Sequence, residues 1–175
     1  MVMIQTRTAV VYWDEVSSPL GPCFVIATEN GVCWTGTPGT PLEDGLVRTR
    51  RWLAFDRVAQ DSQVEPLPQA VEELQRYFAG EKISFSCPLG LQGTPFQVSV
   101  WQALRDIPYG QTRSYAEIAQ AVGRPLAVRA VGAANGANPI AIIVPCHRVI
   151  GSNGTLTGYG GGLPTKSWLL ALEGI

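Results

Sequence analysis

Ile143-Val144-Pro145-Cys146-His147-Arg148-Val149 is the stretch from which this chain of 175 residues is best approached, because it places a thiol beside the only histidine. The apolar run at residues 140–144 leads into it and predicts a fully buried strand. Pro145 cannot donate to a β-ladder, so we expect strand pairing to end there. Cys146 should then lie at the rim of the core, where a strand opens onto a pocket.

The pairing of Cys146 with His147 suggests an activated thiol. Burial in apolar surroundings raises the pKa of a thiol and makes it inert, whereas a neighbouring base can activate it. Adjacent residues of a strand point to opposite faces, so these two side chains should not share a direct hydrogen bond. Either Pro145 bends the chain so that both face one pocket, or a water bridges them. Glu173 is a candidate to orient His147. The plainer alternative is a core cysteine beside a structural histidine.

Composition limits the class of protein. The chain is 46% hydrophobic and 15% charged, which is typical of one large or two small globular domains. Its net charge of -1 gives no support to a broad nucleic-acid surface, so any basic patch must be local. We expect neither a membrane span nor a signal peptide. Four cysteines without CxxC spacing and a single histidine predict a reducing compartment and no bound metal.

The first half has the pattern of a strand-rich domain. The predicted elements, in chain order, are strands at 9–16 and 23–28, a hairpin turn at 29–31 into a strand at 32–34, a loop at 38–51, a helix that begins at Pro68 and ends at Gly80, a strand at 83–87 and a linker at 88–93.

The second half is predicted to be mostly helical. Thr94 and Ser114 each begin a capping box, and the helix that follows Ser114 is closed by Gly123. The next predicted helix, residues 125–135, completes a helix-turn-helix, in which the second helix can meet nucleic acid. That helix is rich in alanine and glycine, and Arg129 is its only long cation. The alternative is a small-residue helix packed on its neighbour, with Arg129 solvated. A last helix is expected at 166–173.

Two further segments adjoin these elements. Asn138, before Pro139, would ordinarily only shape a turn, but it could also hold the second helix and the Cys146 segment in register. The glycine-rich stretch at 151–162 contains Tyr159. It is either a flexible loop or a backbone that approaches a flat ligand closely, with Tyr159 as one wall.

Taken together, these residues resemble the O6-alkylguanine-DNA alkyltransferases, also called methylated-DNA–protein-cysteine methyltransferases. The resemblance covers nearly all of the second half in order and is highly specific, whereas the first half resembles the family's variable N-terminal domain only loosely. The segments that carry it are Phe96, Ser114-Tyr115, Arg129-Ala130-Val131-Gly132, Asn138-Pro139, Pro145-Cys146-His147-Arg148, Gly158-Tyr159 and Glu173.

The resemblance implies an α+β fold in two domains. Residues 1–90 would form a strand-rich N-terminal domain with a three-layer or ribonuclease-H-like sheet. Residues 91–175 would form a winged-helix-like domain that contains the helix-turn-helix. The implied activity is DNA repair by direct reversal: the protein flips an O6-alkylguanine, and in some cases O4-alkylthymine, out of duplex DNA and moves the alkyl group irreversibly to its own cysteine.

The resemblance also implies a role for individual residues. Cys146 would be the acceptor, His147 the base acting through a water, Glu173 the end of the relay and Asn138 the structural link. Tyr115 would press on the neighbouring phosphate and is a plausible proton donor to the departing guanine. Arg129 would be the finger that replaces the flipped base. The rest of the implied DNA-binding surface is Tyr115, Ser114, Ala127, Ala130 and Asn135. The implied base pocket is lined by Tyr159, Gly160, Val149 and Trp101.

The remaining expectations concern partners and alternatives. We expect no cofactor. We expect a monomeric protein in the cytoplasm, associated with the nucleoid if the source is a bacterium. The sequence leaves open whether the protein binds DNA cooperatively. Gly160 stands where the family often has serine, which removes a hydroxyl contact but keeps a backbone N–H. One alternative is a lesion-binding relative that does not transfer the alkyl group, which the thiol of Cys146 disfavours. Others are a Cys-His hydrolase or a transcription factor.

Overall fold

The computed structural model describes residues 9–175. Its first half contains a four-stranded sheet in the order β3-β2-β1-β4, made of β1 (Val10–Val16), β2 (Cys23–Thr28), β3 (Gly31–Thr35) and β4 (Arg57–Gln60). Strand β1 pairs antiparallel with β2 and parallel with β4. The first three strands and their hairpin turn are confirmed. The sequence did not indicate β4, which is short and mostly exposed.

Helices cover both faces of this sheet, because β2 alternates between two cores. Cys23, Val25 and Ala27 face the larger core with helix α2 (Leu67–Phe78), while Ile26 faces a smaller core with helix α1 (Leu42–Thr49). This three-layer arrangement is the one expected.

The prediction of a loop at 38–51 is wrong over most of that range, because helix α1 occupies its centre. The helix begins after Pro41 without a side-chain cap, and Leu42 and Leu46 are its main apolar contacts with the smaller core. A short polar helix of this kind has little signal in the sequence, since it is stabilised by packing rather than by propensity.

The second half is helical, as predicted. Its helices are α3 (Pro95–Arg105), α4 (Tyr115–Ala121), α5 (Val128–Gly136) and α6 (Leu163–Leu172), and two short strands, β5 (Arg113–Ser114) and β6 (Val149–Ile150), pair in parallel. Both predicted capping boxes are present, at Thr94 and at Ser114. The helix expected from residue 125 begins at Val128. Helices α4 and α5 form the helix-turn-helix.

The buried strand predicted at 140–144 is wrong in conformation, although its residues are buried. Ile140 makes an isolated bridge to Thr35, and Ala141 makes one to Val144. Between them the chain turns sharply, with Ile142 at a positive φ of 72°. A short apolar run reports burial but does not distinguish a strand from a buried turn.

The strand predicted at 83–87 is also wrong. The backbone N–H groups of Ser86 and Cys87 donate to the carboxylate of Glu73 on α2, rather than to a neighbouring strand. This segment leads into the second half, and one apolar core runs through both halves of the described chain. Among the described residues, none of the helices has the length and apolar character needed to cross a membrane.

Candidate active site

Cys146 lies in a 3₁₀ turn, Cys146–Arg148, directly after the buried turn. Asn138 holds the approach to it: its Nδ2 donates to the carbonyl of Val144 at 2.8 Å, and its Oδ1 accepts from the N–H of Ile140 at 3.0 Å. These two hydrogen bonds fix the buried turn that precedes Cys146, and Asn138 itself lies two residues after the end of α5. Because Cys146 and His147 lie in a 3₁₀ turn and not in a strand, the rule that neighbouring side chains of a strand point to opposite faces does not apply to them.

Asn135 supports the same turn from α5. It was predicted to lie on the DNA-binding surface, but it is only 4% exposed and its Nδ2 donates to the carbonyl of Cys146 at 3.3 Å. Its side chain therefore points into the protein, and the prediction of a DNA contact is wrong. A helix two turns long presents only one face to solvent, and the spacing alone did not establish which face that was.

His147 and Glu173 form a fully buried pair. The imidazole Nε2 lies 2.7 Å from Oε1 of Glu173, and neither side chain has any solvent exposure. The guanidinium of Arg148 donates to both carboxylate oxygens, and the N–H of Gly110 donates to Oε2 at 3.1 Å. Burial alone would raise the pKa of Glu173, but the hydrogen bonds from His147 and Arg148 outweigh it and lower that pKa to about 2. Glu173 is therefore a buried anion at neutral pH.

This anion determines the protonation of the imidazole. Burial lowers the pKa of His147, and the opposing effect of Glu173 does not cancel it, so the ring is neutral near pH 7. Because Nε2 faces a carboxylate, the single proton resides on Nε2, and Nδ1 carries the lone pair. Nδ1 is buried and has no hydrogen-bond partner among residues 9–175. The site therefore contains a neutral base with an available acceptor atom.

The residue Cys146 is 5% exposed, and burial raises the pKa of its thiol. The side-chain amide of Asn138 and the positive charge of Lys166 oppose this shift. The side chain of Lys166 is fully buried on α6, and its Nζ donates to the carbonyls of Val149 at 2.6 Å and Thr157 at 2.8 Å. A cation fixed in this way favours a thiolate without forming an ion pair with it.

Cys146 opens into a groove of about 580 Å³ between the two halves of the chain. Tyr159 and Gly160 line this groove, as expected of the base pocket, and residues 34–41 form the opposite side. Trp101 and Val149 were expected in the pocket but do not line it. Trp101 is buried, with its Nε1 bonded to the carbonyl of Ala134. Both side chains point into the core. The prediction failed because an apolar pattern indicates that a residue is buried but not which cavity it faces.

The other residues of the expected DNA-binding surface lie mostly on the outside. Arg129 and Ala130 of α5 are exposed, and Ala127, which precedes the helix, is half-buried. The Ser114 hydroxyl is bonded to the backbone and carboxylate of Glu117 within its capping box. The hydroxyl of Tyr115 donates a long hydrogen bond of 3.3 Å to the carbonyl of Thr157.

Sequence reasoning gave no role to three side chains at this site, those of Tyr77, Lys166 and Arg148, of which Arg148 was named only as part of the Pro-Cys-His-Arg motif. Tyr77 of α2 donates a hydrogen bond from its hydroxyl to Oε1 of Glu173 at 2.7 Å, although the two residues are 96 positions apart. Lys166 was placed in a helix without a role. The only sign of Lys166 in the sequence was its position beside the apolar residues of a short helix. Tyr77 showed no sign beyond the apolar pattern of its helix.

The comparison with known proteins agrees with this architecture. Residues 95–175 match a family model described as 6-O-methylguanine DNA methyltransferase, DNA binding domain, and residues 11–91 match its ribonuclease-like domain. A methylated-DNA–protein-cysteine methyltransferase of Methanosarcina acetivorans is 45% identical over 94% of this chain and 99% of its own. The inducible one of Bacillus subtilis is 42% identical over 97% and 94%.

A solved structure is similar over the same extent. The crystal structure of Mycobacterium tuberculosis OGT in complex with DNA has a TM-score of 0.77 to this chain and is 46% identical, and the match covers 93% of this chain and 92% of that one.

Proposed function

Because this chain belongs to the 6-O-methylguanine DNA methyltransferase family, we propose that Cys146 is the residue that accepts the alkyl group. The activity of this protein is that of a methylated-DNA–protein-cysteine methyltransferase, which binds DNA and repairs it by alkyl transfer. The observation that supports Cys146 is its place in the groove beside Tyr159, which none of the other three cysteines lines. Its chain neighbour, His147, is the base held by Glu173.

His147 is assigned as the general base. Its Nδ1 is available because Nε2–H is bonded to Glu173. Since no direct hydrogen bond joins the thiol of Cys146 to Nδ1 within the described chain, the proton passes through one bridging water. The imidazolium that forms is stabilised by the carboxylate of Glu173, which remains ionised because its pKa is about 2.

The transfer itself is a displacement at carbon. The thiolate of Cys146 forms a bond to the alkyl carbon, the bond from that carbon to O6 of guanine breaks, and its electron pair leaves with the guanine. The guanine then takes one proton from the hydroxyl of Tyr115, the assigned donor, and the phenolate that forms regains a proton from solvent. The product is a thioether, which has no good leaving group. We therefore propose that each protein molecule reacts once and is not regenerated.

The reacting base must leave the duplex to reach this thiol. Cys146 is only 5% exposed, so a base inside the stack could not bring its O6 to Sγ. The exposed face of α5 consists mainly of small side chains, which permits close approach to a groove of the duplex, and Arg129 projects from it. We assign Arg129 as the side chain that fills the gap left by the flipped base. Tyr115 presses on the adjacent phosphate.

The flipped base would occupy the groove beside Cys146. Tyr159 provides a flat wall, and the backbone at Gly160 can approach O6 without hindrance from a side chain. Because these contacts are made by a ring face and by backbone groups, O4-alkylthymine is proposed as a second substrate.

The setting of the reaction follows from the thiols. All four cysteines are free, which supports a reducing compartment, and we propose the cytoplasm. We also propose a monomer with two domains that meet near residue 90, in keeping with the gap between the two matched family models.

The alternatives receive less support from the geometry. A Cys-His hydrolase needs a direct hydrogen bond from base to thiol, and none is present among the described residues. A lesion-binding protein without transfer would not need a thiol in the groove.

Intact-mass analysis tests the proposal. The protein is mixed with a duplex that carries one O6-methylguanine, and we expect the gain of one methyl group, mapped to the peptide that contains Cys146. Cys146→Ala should gain no mass and still bind the duplex. Methylation of that variant, or turnover beyond one equivalent by the unmodified protein, would contradict the proposal.

A further inference from the structure

A second cavity, of about 420 Å³, lies between the first half of the chain and the C-terminal end of α5. Cys146 and Tyr159 do not line it, so it is distinct from the active-site groove. Arg48, in the last turn of α1, and Arg51, just after that helix, line both this cavity and the groove. These two arginines therefore form the edge that the two depressions share.

The charge at this edge is not neutralised. Arg48 and Arg51 are exposed, and neither lies in a salt bridge among residues 9–175. The second cavity has no carboxylate in its lining, whereas the groove has one, Asp44 of α1, which forms no salt bridge with either arginine. Their neighbour Arg50 differs, because its guanidinium donates to the carbonyl of Phe55 and lies 4.2 Å from the centroid of that ring. Arg50 has a structural role, whereas Arg48 and Arg51 are available to a ligand.

The position of the two arginines indicates the ligand. The exposed residues Arg129, Ala130, Ala133 and Gly136 follow one face of α5, and Ala133 and Gly136 at its C-terminal end line the same cavity as the arginines. That face offers one long cation to a duplex whose backbone carries a negative charge at every phosphate. The charges that continue the face lie on the other domain, at Arg48 and Arg51.

We propose that Arg48 and Arg51 form a second phosphate-binding site, for the DNA backbone that runs past the C-terminal end of α5. This inference rests on the proposed docking of α5 on duplex DNA. In a chain with a net charge of -1, two unpaired cations beside the groove would concentrate DNA affinity next to the acceptor thiol. The first domain would then contact the substrate directly.

The test is the salt dependence of binding to an unmodified duplex, which cannot alkylate the protein. Binding of the double variant Arg48→Gln/Arg51→Gln is measured by fluorescence anisotropy over a series of salt concentrations. We expect the slope of log K against log salt to become shallower by roughly 1.8, since each lost phosphate contact removes about 0.9. Arg48→Lys/Arg51→Lys should retain most of the slope. Arg57→Gln, which removes an exposed cation on β4 that lines neither depression, is the matched control.

A second measurement separates a phosphate site from a pocket site. The double variant should react with free O6-methylguanine at the wild-type rate, because the free base has no phosphate. An unchanged salt slope, a slope changed equally by Arg57→Gln, or slower reaction with the free base would each overturn the inference. Methyl transfer from a methylated duplex to the wild-type protein is followed in parallel. If that transfer occurs while the slope is unchanged, only the second phosphate site fails; without transfer, the proposed function fails.

Discussion

The hydroxyl of Tyr77 and Oε1 of Glu173 are 2.7 Å apart, and this hydrogen bond joins the first half of the chain to the carboxylate that holds His147. The same oxygen lies 2.7 Å from Nε2 of His147, and the Tyr77 hydroxyl is 3.3 Å from that nitrogen. Burial and the carboxylate raise the pKa of Tyr77 well above its usual value, so the phenol remains a donor. We therefore expect Tyr77 to be a positioning residue that acts through Glu173.

Replacing Tyr77 with Phe should change the pH dependence of alkyl transfer. Without the phenol, the carboxylate of Glu173 accepts one hydrogen bond fewer. The carboxylate then stabilises the protonated form of His147 more strongly, which raises the pKa of the imidazole. We expect the acid limb of the single-turnover rate profile to move upward by about 0.5–1 pH unit, the equivalent of one hydrogen bond of about 1 kcal/mol. The rate at pH 8 should change much less.

Tyr109→Phe is the matched control for that experiment. It also removes a hydroxyl hydrogen bond near α6, but the acceptor is the carbonyl of Leu172 and not the carboxylate. A purely structural role for Tyr77 would make both variants less stable and leave both pH profiles in place.

Acid should destabilise the protein through the His147–Glu173 pair. The pKa of Glu173 is about 2 in the folded protein and near its ordinary value of 4.5 when unfolded, so the carboxylate contributes stability above pH 4.5 that is lost between about pH 4.5 and 2. The pKa of His147 is lowered by folding, so its contribution is already lost progressively below pH 6.5. Urea unfolding at pH 8, 6 and 4 should show a falling free energy of unfolding.

The variant Glu173→Gln provides the corresponding check. It leaves the buried guanidinium of Arg148 without an anion, so we expect a loss of about 3–5 kcal/mol at pH 8 and a weaker dependence of stability on acid. A variant as stable as the wild type at pH 8, with the same acid dependence, would contradict the role given to the carboxylate.

Lys166→Met should raise the pKa of the Cys146 thiol further, because it removes the fixed positive charge that opposes the effect of burial. The measurement is the rate of Cys146 alkylation by iodoacetamide as a function of pH, with peptide mapping. Peptide mapping separates Cys146 from Cys23, Cys33 and Cys87, whose pKa values burial raises to about 12. If the profile of the variant coincides with that of the wild type, Lys166 acts only by bonding the carbonyls of Val149 and Thr157.

Arg129→Ala should slow repair of a methylated duplex far more than reaction with free O6-methylguanine. Only the duplex requires a side chain to fill the gap in the base stack. Single-turnover rates at saturating protein measure both. Equal slowing on the two substrates would place Arg129 in the framework of the domain and not at the DNA.

Part of this site could be predicted because its signals are local. The two capping boxes depend on hydrogen bonds between residues three positions apart, and the hairpin turn into β3 depends on a glycine. The pairing of Cys146 with His147 is a covalent adjacency, and the segments around it carry the family resemblance. For such features the neighbouring residues contain most of the physical information.

The tertiary structure decided what depends on contacts between distant residues. Helix α1 and the buried turn at 140–144 are stabilised by packing that no local pattern encodes. Asn135 faces the core because α5 docks with that side inward. The ionisation of Glu173 requires His147 and Arg148, which lie 26 and 25 positions earlier in the chain, to meet its carboxylate. The sequence by itself determined which thiol and which base are available, and folding decided their charge states, because desolvation and hydrogen bonding exist only once distant segments meet.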